Sequence, residues 1–147
     1  MKKKIIYWIN TRDKTGLLLS MMRYFSNIAN ISFEGSLDKL SLNKISGSKT
    51  EETEVLKRAT LAPELDFVIV PLTDENIKFI WHEILEKDHL ANDDIIHVQI
   101  EKDGKIVFGA YDNFHKDCVV AYEEVQVSLL DKLVKQGTIR NYTIHYE

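Results

Sequence analysis

The chain has 147 residues, 44% of them apolar, and its 19 basic and 23 acidic side chains leave a net charge of −4. That length suits a single domain with its own core, so neither a disulfide nor a metal is needed to staple it. The acidic balance excludes non-specific nucleic-acid binding as the main task and favours a basic partner, while the lone Cys118 excludes an internal disulfide and fits a reducing compartment.

Lys2, Lys3 and Lys4 precede the apolar run Ile5–Ile9, which Asn10, Thr11, Arg12 and Asp13 end too soon for the core of a signal peptide. No segment approaches the ~20 apolar residues of a membrane helix. A cytoplasmic protein with no membrane partner is expected. Lys4 to Ile9 reads as a first strand, rich in β-branched and aromatic residues. Asp13 or Thr15 then caps a helix whose stripe is Leu18, Met21, Met22, Phe25, Ile28 and Ala29, with Asn30 as its stop. Ile31 to Phe33 begins a short strand.

From Gly35 to Thr53, serines, Asn43 and Gly47 lower the hydrophobicity, while Leu37, Leu40, Leu42 and Ile45 raise it again. The expectation for residues 35–53 is a surface loop with one or two docked side chains. Ser48 with Glu51 resembles a capping box for a short helix with Val55, Leu56 and Ala59 inward. Phe67 to Val70 is a continuous apolar run, as in a strand covered on both faces, and Pro71 places its end at an edge or terminus. Thr73 caps the next helix, with Asp74 and Glu75 in its first turn and a stripe of Ile77, Ile80, Trp81, Ile84 and Leu85.

Asp103-Gly104 between alternating apolar runs marks a two-residue hairpin turn, because both central positions need positive φ. The simplest register sets Lys102 opposite Lys105, Ile100 opposite Val107, Val98 opposite Gly109 and Ile96 opposite Tyr111. Ile95, His97, Gln99, Glu101, Ile106, Phe108 and Ala110 would then share the second, mixed face. Cys118 to Tyr122 suggests another strand, Leu129, Leu130, Leu133 and Val134 a last helix stopped by Gly137, and Thr138 to Tyr146 a closing strand. The whole reads as one α+β domain over 1–147, a mainly antiparallel or mixed sheet with three to four helices packed on it.

Few residues suggest chemistry. Thr11 to Gly16 joins a strand to a helix start, where Arg12 and Lys14 could meet a phosphate, but only Gly16 is present to let the backbone wrap one. The alternative there is a solvated, capped turn. His115 and Cys118 stand three apart, yet a catalytic pair needs a third group to orient it, and Cys118 at the head of an apolar strand reads more simply as core filler. His82, His89, His97 and His145 have no metal-ligand spacing, and the doublets Glu51-Glu52, Asp93-Asp94 and Glu123-Glu124 diverge on any regular element. No catalytic residue, cofactor or metal is expected. The segment Gly109 to His115 is more suggestive. It sets Tyr111, Asp112, Asn113, Phe114 and His115 where a strand runs into a loop, and aromatic anchors flanked by hydrogen-bonding groups are what interfaces use. Phe33 to Asp38 is a second such place, with Glu34 and Asp38.

In size, acidity, α+β make-up and lack of motifs the chain resembles the single-domain immunity proteins encoded beside bacterial polymorphic toxins, including contact-dependent growth-inhibition systems. Ile31 to Gly35 and Gly109 to Phe114 carry that likeness. It implies a non-catalytic protein that occludes a basic toxin domain, most often a nuclease. Glu34, Asp38 and Asp112 would meet the toxin's cations, Tyr111 and Phe114 would be buried anchors, and Asn113 and His115 would lie beside them. Two other classes stand against this: a small enzyme or ligand-binding domain around His97, Tyr111, His115 and Cys118, and a homodimer paired through the strand Thr138 to Tyr146.

Overall fold

The computed structural model describes residues 4–147, so Lys2 and Lys3 lie outside the described residues. Seven strands form one sheet: β1 (Ile5–Thr11), β2 (Asn30–Gly35), β3 (Asp66–Pro71), β4 (Ile95–Lys102), β5 (Lys105–Ala110), β6 (Val119–Tyr122) and β7 (Ile139–Tyr146). Their order is β3-β2-β4-β5-β6-β1-β7, and each neighbouring pair is antiparallel. The helices are α1 (Lys14–Tyr24), α2 (Asp74–Ile80) with a π-helical turn over Trp81–Leu85, and α3 (Val127–Gln136). The fold is α+β, as composition and periodicity suggest, and no parallel pair occurs among the described strands.

One face of the sheet is a continuous apolar row. Val70, Ile31, Ile100, Phe108, Ala121 and Tyr7 lie side by side from β3 to β1, because each is the register partner of the next. Leu17, Leu18, Met21, Met22, Phe25, Ile77, Ile80, Ile84, Leu130 and Leu133 of the helices join this cluster, all buried. At roughly 1.5–3 kcal/mol for each large side chain removed from water, this layer is the main stabilising term.

Local signals explain most boundaries. The Asp13 carboxylate accepts the Gly16 N–H at 3.0 Å and starts α1. The Thr73 hydroxyl accepts the Asn76 N–H at 3.1 Å and starts α2. The end of α1 differs from the sequence expectation. Asn27, not Asn30, takes the left-handed backbone at φ 66°, and its N–H donates to the Leu72 carbonyl at 2.6 Å. The stripe therefore ends at Phe25, Ile28 is exposed, and Asn30 is free to open β2.

The hairpin turn is as expected, with φ 52° at Asp103 and 79° at Gly104 and Lys102 facing Lys105. Beyond it a bulge between Ile100 and Glu101 moves the pairing by one residue, so Ile100 faces Phe108, Gln99 faces Gly109 and Val98 faces Ala110. The bulge puts Val107 and Phe108 both into the core. The simple alternation therefore assigned Phe108 and Ala110 to the wrong face.

Residues 36–65 depart furthest from expectation. Leu37, Leu40, Leu42 and Ile45 are all buried in the main cluster, so this is not a surface loop with one or two docked side chains. The chain then crosses the free edge of β3, where Lys49 and Ile69 exchange backbone hydrogen bonds of 3.0 and 2.7 Å. It reaches the opposite sheet face, where Leu56 packs on Phe67 and Ile69. The helix expected after Ser48 does not form. Ser48 donates to the Asn43 carbonyl instead, and the Thr53 hydroxyl accepts the Val55 and Leu56 N–H groups. This strap covers the second face over β3, β2 and β4, and its cluster reaches Ile106 at the start of β5. Over β6 and β1 that face presents Tyr122 and Trp8, the latter 43% exposed.

Candidate partner-binding surface

The polar residues singled out by sequence separate into a buried network and an exposed rim. Glu34 lies on the second face of β2 and is 1% exposed. Its carboxylate accepts the Ala59 N–H at 2.6 Å and the Thr60 N–H at 3.1 Å. Beside it, His97 Nδ1 accepts the Asp112 N–H at 3.2 Å, which leaves Nε2 to donate to the Thr60 hydroxyl at 2.7 Å. Gln99 donates to the Lys57 carbonyl at 2.7 Å. These groups rivet the strap to the sheet, so Glu34 is not available to meet a toxin's cations.

Tyr111 extends this network along the sheet. Its ring lies over Gly109, where an added Cβ would stand 2.7 Å from the phenol oxygen, so Gly109 is the residue that makes room for it. The hydroxyl lies 3.4 Å from Gln99 Oε1 and the ring 5.7 Å from that of His97. Burial pushes the phenol up to about 12, with the nearby Tyr122 adding to the shift. Tyr111 is half-buried and keeps one rim open to solvent.

The loop after β5 is tightly wound. Asp112, Asn113 and Phe114 take positive φ in succession, at 51°, 55° and 61°. Such a left-handed turn costs energy at each residue and persists only where its surroundings hold it. Asn113 is the plug that does so: its amide donates to the carbonyls of Leu90 at 2.8 Å and Ile95 at 2.6 Å, and its oxygen accepts from Lys14 Nζ. Phe114 turns inward against Phe108, with ring centroids 6.3 Å apart, and is 7% exposed. It is therefore a core residue and not an interface anchor, and Asn113 is spent on its own loop. Lys14, a candidate phosphate ligand from the sequence, is bound here and also lies 3.9 Å from Asp93.

Asp112 and His115 are exposed, as an interface requires. Cys118 is not core filler. It stands part-exposed at the loop base, its thiol 3.8 Å from Asp112 Oδ2, and desolvation followed by the Asp112 carboxylate pushes its pKa up. The four residues of the ligand-pocket alternative, His97, Tyr111, His115 and Cys118, are neighbours: the Tyr111 ring lies beside that of His97, its carbonyl accepts the His115 N–H at 3.3 Å, and its N–H donates to the Cys118 carbonyl at 2.9 Å. Both His97 nitrogens are already engaged, however, and the thiol is shifted away from the reactive thiolate. His115 Nδ1 pairs with its neighbouring Lys116 carbonyl at 2.7 Å. Among the described residues no cluster of three or more His, Cys, Asp or Glu could hold a metal.

The antiparallel order adds what spacing in the sequence could not show. The loops following β2 and β5, and those preceding β3, β4 and β6, leave the sheet at one end. They carry Asp38, Glu64, Asp66, Asp93, Asp112 and Asp117, all exposed. Cations stand at that end too, among them Arg12, Lys14, Lys39, Arg58, Lys116 and Arg140, the last donating to the Thr11 carbonyl at 3.2 Å. Arg58 is already held by Glu52 at 3.4 Å and Glu64 at 3.5 Å. A cleft of about 500 Å³ at this end is lined by Leu37, Asp38, Arg58, Glu64, Asp66 and Phe67 among others. Asp38 therefore joins Asp112 on one rim although 74 positions separate their numbers (112 − 38). No described helix is long and apolar enough to cross a membrane. Comparison with protein-family models, with curated proteins and with solved structures finds no match for this chain.

Proposed function

We propose that the chain is a non-catalytic cytoplasmic binding protein of the immunity type, which neutralises a basic toxin domain, most simply a nuclease, by covering its active site. The observation that carries this reading is the rim of exposed carboxylates at one end of the sheet, Asp38, Glu64, Asp66, Asp93, Asp112 and Asp117. A nuclease concentrates lysine and arginine where it holds phosphate, and such a rim complements that charge. Complementary fields of this kind act mainly by accelerating encounter and excluding wrong partners. The cleft beside Asp38 has the size to take a cationic side chain, and Tyr111 offers the half-buried aromatic edge next to Asp112. Glu34 and Phe114 play no direct part, since both are enclosed.

The test uses a toxin domain encoded beside this chain's gene, with association followed at low and physiological salt. Neutralising Asp38→Asn, Asp112→Asn and Asp117→Asn together is expected to slow association by about tenfold or more at low salt, and less as salt rises. Melting should hardly move, because none of these side chains belongs to the core. An unchanged association rate, or a toxin that ignores the protein altogether, would overturn the proposal.

A further inference from the structure

The two edges of the sheet are treated differently. The strap closes the edge of β3 through the Lys49–Ile69 pair, whereas no other described strand pairs with the outer side of β7. Lys4 and Glu147 exchange both backbone hydrogen bonds, at 3.1 and 2.9 Å. By antiparallel alternation the backbone groups of Glu147, His145, Thr143 and Asn141 therefore turn toward β1, and those of Tyr146, Ile144 and Tyr142 turn outward. Exposed large apolar side chains stand at the same border: Ile144 and Tyr146 on β7 itself and Val134 of α3 in the cleft beside Tyr142. An open edge beside exposed apolar groups is a template for another strand.

The geometry points to a second copy of this chain as the occupant, paired β7 to β7 about a twofold axis through Ile144. Only this register engages all of the outward-facing residues. Ile144 meets Ile144 of the second copy, and Tyr142 meets Tyr146 of the second copy on either side, closing about six hydrogen bonds. The intervening pairs are Thr143 with His145 and Asn141 with Glu147, so no like charges face each other. Tyr142, Ile144 and Tyr146 lie on the helix-bearing face, since their partners on β1 are Ile9, Tyr7 and Ile5. A cleft of about 510 Å³ at this edge is lined by Asp131, Val134, Lys135, Asn141 and Tyr142. Pairing sets Tyr146 of the second copy, 58% exposed in the monomer, beside Tyr142 and so at that cleft. The alternative axis through Thr143 leaves Tyr146 without an outward-facing backbone partner, because β7 is irregular at Arg140, where Ile139 rather than Arg140 faces Thr11. This assembly uses the side edge of the sheet and is independent of the acidic rim.

The interface is small, below about 1,200 Å², so self-association is expected only in roughly the tens of micromolar. Sedimentation velocity from about 10 μM to 1 mM should show monomer converting to dimer. Ile144→Lys, which sets two charges against each other at the axis, should stay monomeric with an unchanged circular dichroism spectrum. For the register, Ile144→Cys and Thr143→Cys are each made in a Cys118→Ser background. Ile144→Cys should oxidise to a linked dimer at least ~10-fold faster, since its copies share a hydrogen-bonded pair in this register. A wild type that remains monomeric throughout, as a strand reserved for another protein would give, overturns the proposal. So does a dimer indifferent to Ile144→Lys, or faster cross-linking at position 143.

Discussion

Replacing Glu34 with alanine tests the central claim about the strap. Its carboxylate is enclosed and accepts two N–H groups, from Ala59 at 2.6 Å and Thr60 at 3.1 Å. Hydrogen bonds to a charged group contribute about 1.5–3 kcal/mol each, and each orphaned donor costs ~1–3 kcal/mol if it stays dry. The upper limit is not reached, because residues 50–60 can lift away and let water take the donors. A loss of about 3 kcal/mol is therefore expected, equal to roughly 6–12 °C in melting temperature for a domain of this length. Denaturant titration measures the loss, and amide exchange locates it: Ala59 and Thr60 should lose protection while β5 and β6 keep theirs. Glu34→Gln retains one acceptor and should cost about half as much. A change below ~0.5 kcal/mol with the two amides still protected would refute the assignment of Glu34 as a structural rivet.

Two further outcomes follow from the same region. The Tyr111 phenol is raised from 10.0 to about 12, so between those values the folded state holds a proton that the unfolded state has lost. Stability should accordingly be intact below pH 10 and fall as pH rises toward 12, and Tyr111→Phe should flatten that fall and remove the last-titrating phenol from an absorbance titration. Asn113→Ala strips donors from the carbonyls of Leu90 and Ile95 and leaves alanine at φ 55°, so a loss of about 2–3 kcal/mol is expected by chemical denaturation.

Elements defined by nearby residues were legible in the sequence. The caps at Asp13 and Thr73, the stop at Gly137 and the turn at Asp103-Gly104 each depend on atoms within a few positions, and all are present. What failed depended on distant partners. Nothing within Gly35 to Thr53 states that Leu37, Leu40, Leu42 and Ile45 would find a hydrophobic layer built from α1, α2 and the sheet. Their spacing fits no single period because the strap has none. The bulge at Ile100–Glu101 is likewise invisible to alternation, since inserting one unpaired residue leaves the composition of both strands unchanged. It reverses the face of everything after it, which is why Phe108 was misplaced while Val98 was not.

The candidate interface divides along the same line. Residue type alone grouped Glu34, Asp38, Tyr111, Asp112, Asn113, Phe114 and His115, since each could serve a partner. A strand residue faces either a layer or solvent, and Glu34 faces the strap, so its charge is consumed internally. Phe114 and Asn113 sit in a loop, but three consecutive left-handed residues can be held only by side chains turned back into the protein, and these two do the holding. Asp38, Asp112 and His115 have no such duty and remain outside. The antiparallel order then adds Glu64, Asp66, Asp93 and Asp117 to the same end. Glu64 is held by Arg58, Asp93 lies near Lys14, and Asp66 accepts the N–H of the core residue Leu37, so Asp38, Asp112 and Asp117 are the rim carboxylates for which no ion pair or backbone contact is seen among the described residues. A partner that supplies positive charge would pair these three, which is the physical reason to look for the contact there.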